Sequence, residues 1–93
     1  GRLRLILSPD GSDGSLTLRQ DARVYAGLFD AGEQAALELG AGRDAYVHVA
    51  RGSIALNGLS LNEGDGAKLQ AETRLELCAG SGAEVLVFDL RAA

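Results

Sequence analysis

Asn57-Gly58 separates two short alternating stretches, Ser53-Ile54-Ala55-Leu56 and Leu59-Ser60-Leu61. A two-residue type I′ hairpin turn needs positive φ at both central positions, and Asn-Gly meets that need. With these two at the tip, Leu56 faces Leu59 and Ile54 faces Leu61, all on one side of the ribbon. A hairpin this well specified commits its neighbourhood to antiparallel sheet, and the rest of the chain carries the same period of two. Leu3 to Leu7 is an apolar opening strand, stopped by the loop Ser8 to Ser15, which is rich in Gly, Asp and Ser. Leu16 to Gln20 alternates. Ala22 to Phe29 reads as a strand in which Gly27 marks a bulge or a close backbone approach.

Gln34 to Leu39 is ambiguous between strand and helix, because Ala and Glu favour helix while Ala35, Leu37 and Leu39 alternate. Six residues closed by Gly-containing turns favour a strand. Ala45 to Ala50 alternates cleanly up to a turn at Arg51-Gly52. Ala67 to Leu69, Thr73 to Cys78 and Ala83 to Leu90 complete about nine or ten short strands, the pattern of an antiparallel sandwich or small barrel. A length of 93 residues holds one domain, and 13 Gly against one Pro agree with many tight turns.

Charge and cysteine usage narrow the function classes. Nine basic against 13 acidic residues leave a formal charge of −4, with the arginines scattered along the chain. A phosphate-backbone binder shows the opposite sign, clustered on one face, so nucleic acid is not an expected partner. No apolar run approaches a membrane span, and Gly1-Arg2-Leu3 does not open a signal peptide. Cys78 is the only cysteine, so no intrachain disulfide forms. The expected setting is a reduced cytoplasmic one.

The punctuation of Gly40 to Leu75 resembles a cupin jelly roll. Ala45 to Gly52, followed by Ser53 to Gly58, resembles the closing strand of the first cupin motif and the hairpin after it. Gly64-Asp65 resembles the opening of the second motif. A longer string is similar to the C-terminal cupin half of bacterial pirin-like bicupins: Leu18 to Tyr25, Leu28-Phe29, Tyr46 to Val49, Ile54 to Gly58, Gly64 to Gly66 and Glu84 to Leu90. This resemblance runs from about Leu7 to Leu90, carried by the order and spacing of soft motifs.

It implies a single cupin-like domain over residues 1–93, forming the C-terminal half of a two-domain protein. It further implies an N-terminal cupin that holds a divalent metal, typically iron, through His and Glu and carries quercetin 2,3-dioxygenase-type activity. Carried over position by position, the motif glutamate falls on Ala45, counting back from Gly52. The two motif histidines fall on Leu39 and Ala41, or on Glu38 and Gly40 with the longer spacer. The third histidine falls on Leu75. Glu38 alone can coordinate, and one carboxylate does not fix a transition metal. The expectation is a domain with no metal and no cofactor, packed at its centre.

His48 is the only histidine. Alternation puts Ala45, Val47 and Val49 on one face and Tyr46, His48 and Ala50 on the other, so His48 points away from the barrel interior. It is either a polar residue of an outer face or domain contact, or a general base or shared ligand that needs a carboxylate or metal partner. Asp10 to Gly14 lacks the spacing of a calcium loop and reads as turn chemistry. Glu63 and Asp65 bracket Gly64 in another turn. Cys78 falls on the face of Arg74 and Glu76, partly exposed. Arg19, Gln20, Asp21 and Tyr25 form the most distinctive polar cluster, and together with Tyr46 and His48 they are candidate interdomain or polar contacts.

The leading expectation is a non-catalytic cupin half packing on an upstream catalytic cupin. The alternative is a metal-independent small-molecule or protein-interaction module, with room left by Gly27, Ala35 and Ala45 and with self-association through an exposed face.

Overall fold

The computed structural model describes residues 1–17, 21–70 and 72–91. The strands are β1 (Arg2–Ser8), β2 (Leu16–Thr17), β3 (Ala22–Phe29), β4 (Ala35–Glu38), β5 (Arg43–Leu56), β6 (Leu59–Asn62), β7 (Gly66–Gln70) and β8 (Arg74–Arg91). A three-residue 3-10 turn, Ser12–Gly14, lies between β1 and β2. The all-β architecture expected from the alternation is what forms, and the ambiguous Gln34 to Leu39 segment is a strand at β4.

The strands are fewer and longer than the expected nine or ten short ones. Arg51-Gly52 does not turn: β5 runs through it as one strand of 14 residues. The expected strands Thr73 to Cys78 and Ala83 to Leu90 are likewise continuous, as one β8 of 18 residues. Both strands bend where they meet. Gly52 lies in the left-handed region with φ 67°, as do Ala79 at 53° and Gly82 at 54°. The β5–β8 register slips between Val49 and Ala55, opposite Val85 to Cys78. Bulges of this kind let a strand turn a corner from one sheet layer to the next without ending.

The corner divides the sheet into two sections. In one, β1, β3, the C-terminal part of β8, the N-terminal part of β5, and β7 lie side by side. In the other, β4, the start of β8, the end of β5, and β6 do so. β2 adds a parallel pairing on the edge of β1. Leu56 pairs with Leu59 and Ile54 with Leu61, the register expected from Asn57-Gly58. Asn57 takes φ 47° there and clamps the neighbouring strand. Its Oδ1 accepts the Glu76 N–H at 2.7 Å and its Nδ2 donates to the Arg74 carbonyl at 3.1 Å.

Alternation sends Ala45, Val47, Val49, Val85 and Val87 from the first section, and Ile54, Leu56, Leu61, Leu75 and Leu77 from the second, into one core with Phe29. Each fully buried leucine contributes about 2 kcal/mol of transfer free energy. The expected irregularity at Gly27 resolves as a close approach. Pairing of β3 with β8 is uninterrupted from Ala22–Leu90 to Phe29–Ala83. A Cβ on Gly27 would meet the Phe29 ring at 2.7 Å, because that ring folds back across the glycine. The bulge lies instead in β1, where Leu5 pairs with Tyr25 and Leu7 with Val24, leaving Ile6 extra.

Candidate functional site

The cupin resemblance places metal ligands at the centre of the barrel, and apolar side chains fill that centre. Ala45 on β5 is 1% exposed and Leu75 on β8 is 0% exposed, and both lie in the apolar core. Leu39 is buried beside them. Glu38, the one carboxylate in the transferred positions, points the other way: on the outer side of β4 it pairs with Arg74, which also pairs with Glu76. Alanine and leucine offer no donor atom, so the residues at these positions do not fit a metal ion. Among the described residues, no three His, Cys, Asp or Glu side chains are grouped to hold one. Nor does small side-chain size leave room at Gly27, which Phe29 covers.

The strongest polar constellation lies at one end of the inner face, and its centre was missed by sequence reasoning. Arg43 opens β5 and Asp89 lies near the end of β8, two positions diagonally related across the pairing of Ala45 with Asp89. The Arg43 Nε–H donates to Asp89 Oδ1 at 2.8 Å, and Nη2 donates to the Asp89 carbonyl at 3.0 Å. Nη1 donates to Asp21 Oδ1 at 2.7 Å, and Nη2 also reaches the Asp21 carbonyl. The Arg43 and Asp89 side chains are only 13% and 10% exposed, whereas Asp21 is 55% exposed. The hydrogen bond to Asp89, ahead of that to Asp21, raises the Arg43 guanidinium above its ordinary range.

Two members of the expected cluster thus converge on this pair. Asp21 binds Arg43 directly, and Tyr25 on β3 packs against the core within the field of Asp89. Arg19 and Gln20 lie outside the described residues. No local signal in the sequence links Arg43 to Asp89, because 46 residues separate them.

Burial, ahead of the Asp89 carboxylate, pushes the Tyr25 phenol above its ordinary value of 10.0. The neutral phenol is therefore favoured by folding. Its contribution to stability is fully present below pH 10.0 and is lost as pH rises through the folded-state value. Thermal unfolding followed from about pH 9 to about pH 11 is expected to show a steeper alkaline fall in Tm for the parent chain than for Tyr25→Phe. Equal slopes would remove Tyr25 from the account.

Tyr46 and His48 lie on the outer face, as the alternation requires. The Tyr46 ring covers Gly66, where a Cβ would meet its Cζ at 2.8 Å, and it packs on Phe88 with ring centroids 6.1 Å apart. His48 is half-buried between Leu86 and Gly66. The remaining candidates are turn chemistry. Asp10 Oδ1 accepts the Ser12 N–H and Asp65 Oδ2 accepts the Asn62 N–H. Backbone and side-chain hydrogen bonds from Ser12 lower the Asp10 carboxyl below its ordinary value. Cys78 is partly exposed and free. No helix among the described residues is long and apolar enough to cross a membrane.

The sequence and the fold have counterparts among known proteins. Residues 5–90 match the family described as the quercetinase C-terminal cupin domain. Quercetin 2,3-dioxygenase of Escherichia coli K12 is 36% identical over 87 residues, which cover 94% of this chain and 38% of that protein. A pirin-like protein of Caulobacter vibrioides is 36% identical over 75 residues, 81% of this chain and 32% of the relative. The bacterial pirin YhhW of Escherichia coli, solved in complex with nickel(II), superimposes with a TM-score of 0.94 at 34% identity. That match covers 99% of this chain and 40% of the other. The chain thus spans about two fifths of the length of these longer proteins.

Proposed function

Because the chain belongs to the family of quercetinase C-terminal cupin domains, we propose that it is the metal-free, non-catalytic half of a two-domain pirin-like protein. Residues 1–93 act as one cupin domain that packs against an N-terminal cupin. That upstream cupin carries the divalent metal and an oxidoreductase activity of the quercetin 2,3-dioxygenase type. The observation that carries this reading is the replacement of ligands by Ala45 and Leu75 in a closed apolar core. A carboxylate and an imidazole at these two positions would be buried next to valine and leucine, at a large desolvation cost unless a metal repaid it. Alanine and leucine there turn a reaction chamber into packing.

What the chain contributes in this reading is rigidity and surface. The Arg43–Asp89 pair ties together the ends of the two long strands, and the corner at Gly52 holds the two sheet sections in register. Similarity to a quercetin 2,3-dioxygenase supplies the expected parent activity, and the flavonol substrate with it. Metal content of the purified chain after dialysis, measured by inductively coupled plasma mass spectrometry, tests the central claim. The expected result is far less than one iron, nickel or zinc per chain, together with no consumption of flavonol. Retention of one metal ion per chain would overturn it.

A further inference from the structure

The registers of β1, β3, β8, β5 and β7 line up the outer side chains of the first sheet section in rows. Leu28 pairs with Glu84 and Ala26 with Leu86, which is paired with His48. Val24 pairs with Phe88, which is paired with Tyr46, and Ala22 pairs with Leu90. The middle of this face is therefore apolar across β3 and β8, with Ala22 and Val24 buried in it, and Tyr46 extends it onto β5 between His48 and Asp44, which pairs with Leu90. Its margin is charged, with Arg2 and Arg4 on one edge and Lys68 on the other. A sheet that meets water on one side alternates apolar inward with polar outward. Here both sides are apolar: valines and alanine fill the inner side, while Leu28, Leu86, Phe88, Leu90 and Tyr46 stand on the outer one. Leu28 is 68% exposed. An apolar centre within a charged margin is the anatomy of an interface rather than of a free surface.

We infer that this outer face is the surface on which the upstream half of the same polypeptide docks. The inference rests on the proposed position of the chain as the C-terminal half of a two-domain protein. Two observations select that occupant. The longer relatives carry about three fifths of their length outside the matched segment, and the matched family is defined as a C-terminal domain. Any upstream half joins this domain through β1, and Arg2 of β1 is paired with Leu28 at the margin of the face. A recess of about 600 Å³, lined by Arg2, Arg4, Ile6, Ala26, Leu28 and Glu84, opens at that corner and can take an apolar side chain of the partner.

Thiol labelling of the full-length protein tests the assignment, in a Cys78→Ser background with modification quantified on the labelled peptide. Leu28→Cys reports from one end of the face and Leu90→Cys from the other. Leu59→Cys at the hairpin tip is the reference, since Leu59 is 57% exposed and lies off the face. The expected result is maleimide labelling of Leu28→Cys about tenfold slower than that of Leu59→Cys, with Leu90→Cys also slowed. Calorimetry of the same protein separates the two claims. Equal labelling at all three positions with a single unfolding transition means the halves pack through another surface, and the face assignment falls alone. Equal labelling with two independent transitions overturns both the face and the packing of the two halves. Slow labelling at Leu28→Cys and Leu90→Cys upholds the assignment.

Discussion

Gly52→Ala is expected to destabilise the chain by about 4 kcal/mol, a large part of the stability of a domain this size. Two costs combine. Gly52 sits at φ 67°, where a Cβ adds about 1 kcal/mol of backbone strain. The added Cβ would also lie 2.6 Å from the Gly82 carbonyl carbon, with the carbonyl oxygens of Ser81 and Gly82 closer still. These are backbone atoms of the partner strand and cannot rotate aside, so β5 and β8 must separate at the corner, at a further cost of about 3 kcal/mol. Gly58→Ala is the control. Gly58 has φ 83° at the hairpin tip, and a Cβ added there would meet nothing within 4 Å. It should therefore lose only the strain, about 1 kcal/mol. Urea unfolding followed by circular dichroism measures both. Similar losses for the two variants would show that the corner yields freely and that close approach does not hold it.

Arg43→Met is expected to cost about 3 kcal/mol, because it leaves the Asp89 carboxylate buried without its partner. This is the low end of the range for a broken buried pair, since the edge of Arg43 reaches solvent. Asp21→Asn removes the exposed arm of the same cluster and should cost less than about 1 kcal/mol. The double variant Arg43→Met with Asp89→Leu gives the sharper result. Replacing both charges by apolar groups removes the unpaired carboxylate, so the double variant should be more stable than Arg43→Met alone. Urea unfolding of the parent chain, Arg43→Met, Asp89→Leu and the double variant reads this out. Additive losses would mean that the pair contributes nothing beyond its separate side chains. Either substitution also loosens the end of the barrel where Asp21 and Tyr25 sit, which ties their role to structure.

Much of the fold was legible in the chain itself. Asn57-Gly58 set a hairpin register locally, because positive φ at two adjacent positions is a property of those residues themselves. Alternation from Ala45 to Ala50 assigned inner and outer faces, since successive side chains of a strand must point to opposite sides. That placed Ala45 in the core and His48 outside it, and the motif spacing that put Leu75 at a ligand position put it at a buried one.

Tertiary structure alone decided what depends on residues far apart in the chain. Arg51-Gly52 reads as a turn, and Ala79 to Gly82 separates two expected strands. They became bends in continuous strands because each found the other across the β5–β8 pairing. Nothing local singles out Arg43 or Asp89, which closure of the barrel brings to 2.8 Å. The apolar outer face emerged only when five strands from across the chain were laid in register. Local sequence determines the backbone conformations and the face on which each side chain lies. Which faces meet, and which one is left for a partner, is set by long-range pairing that no short window of residues contains.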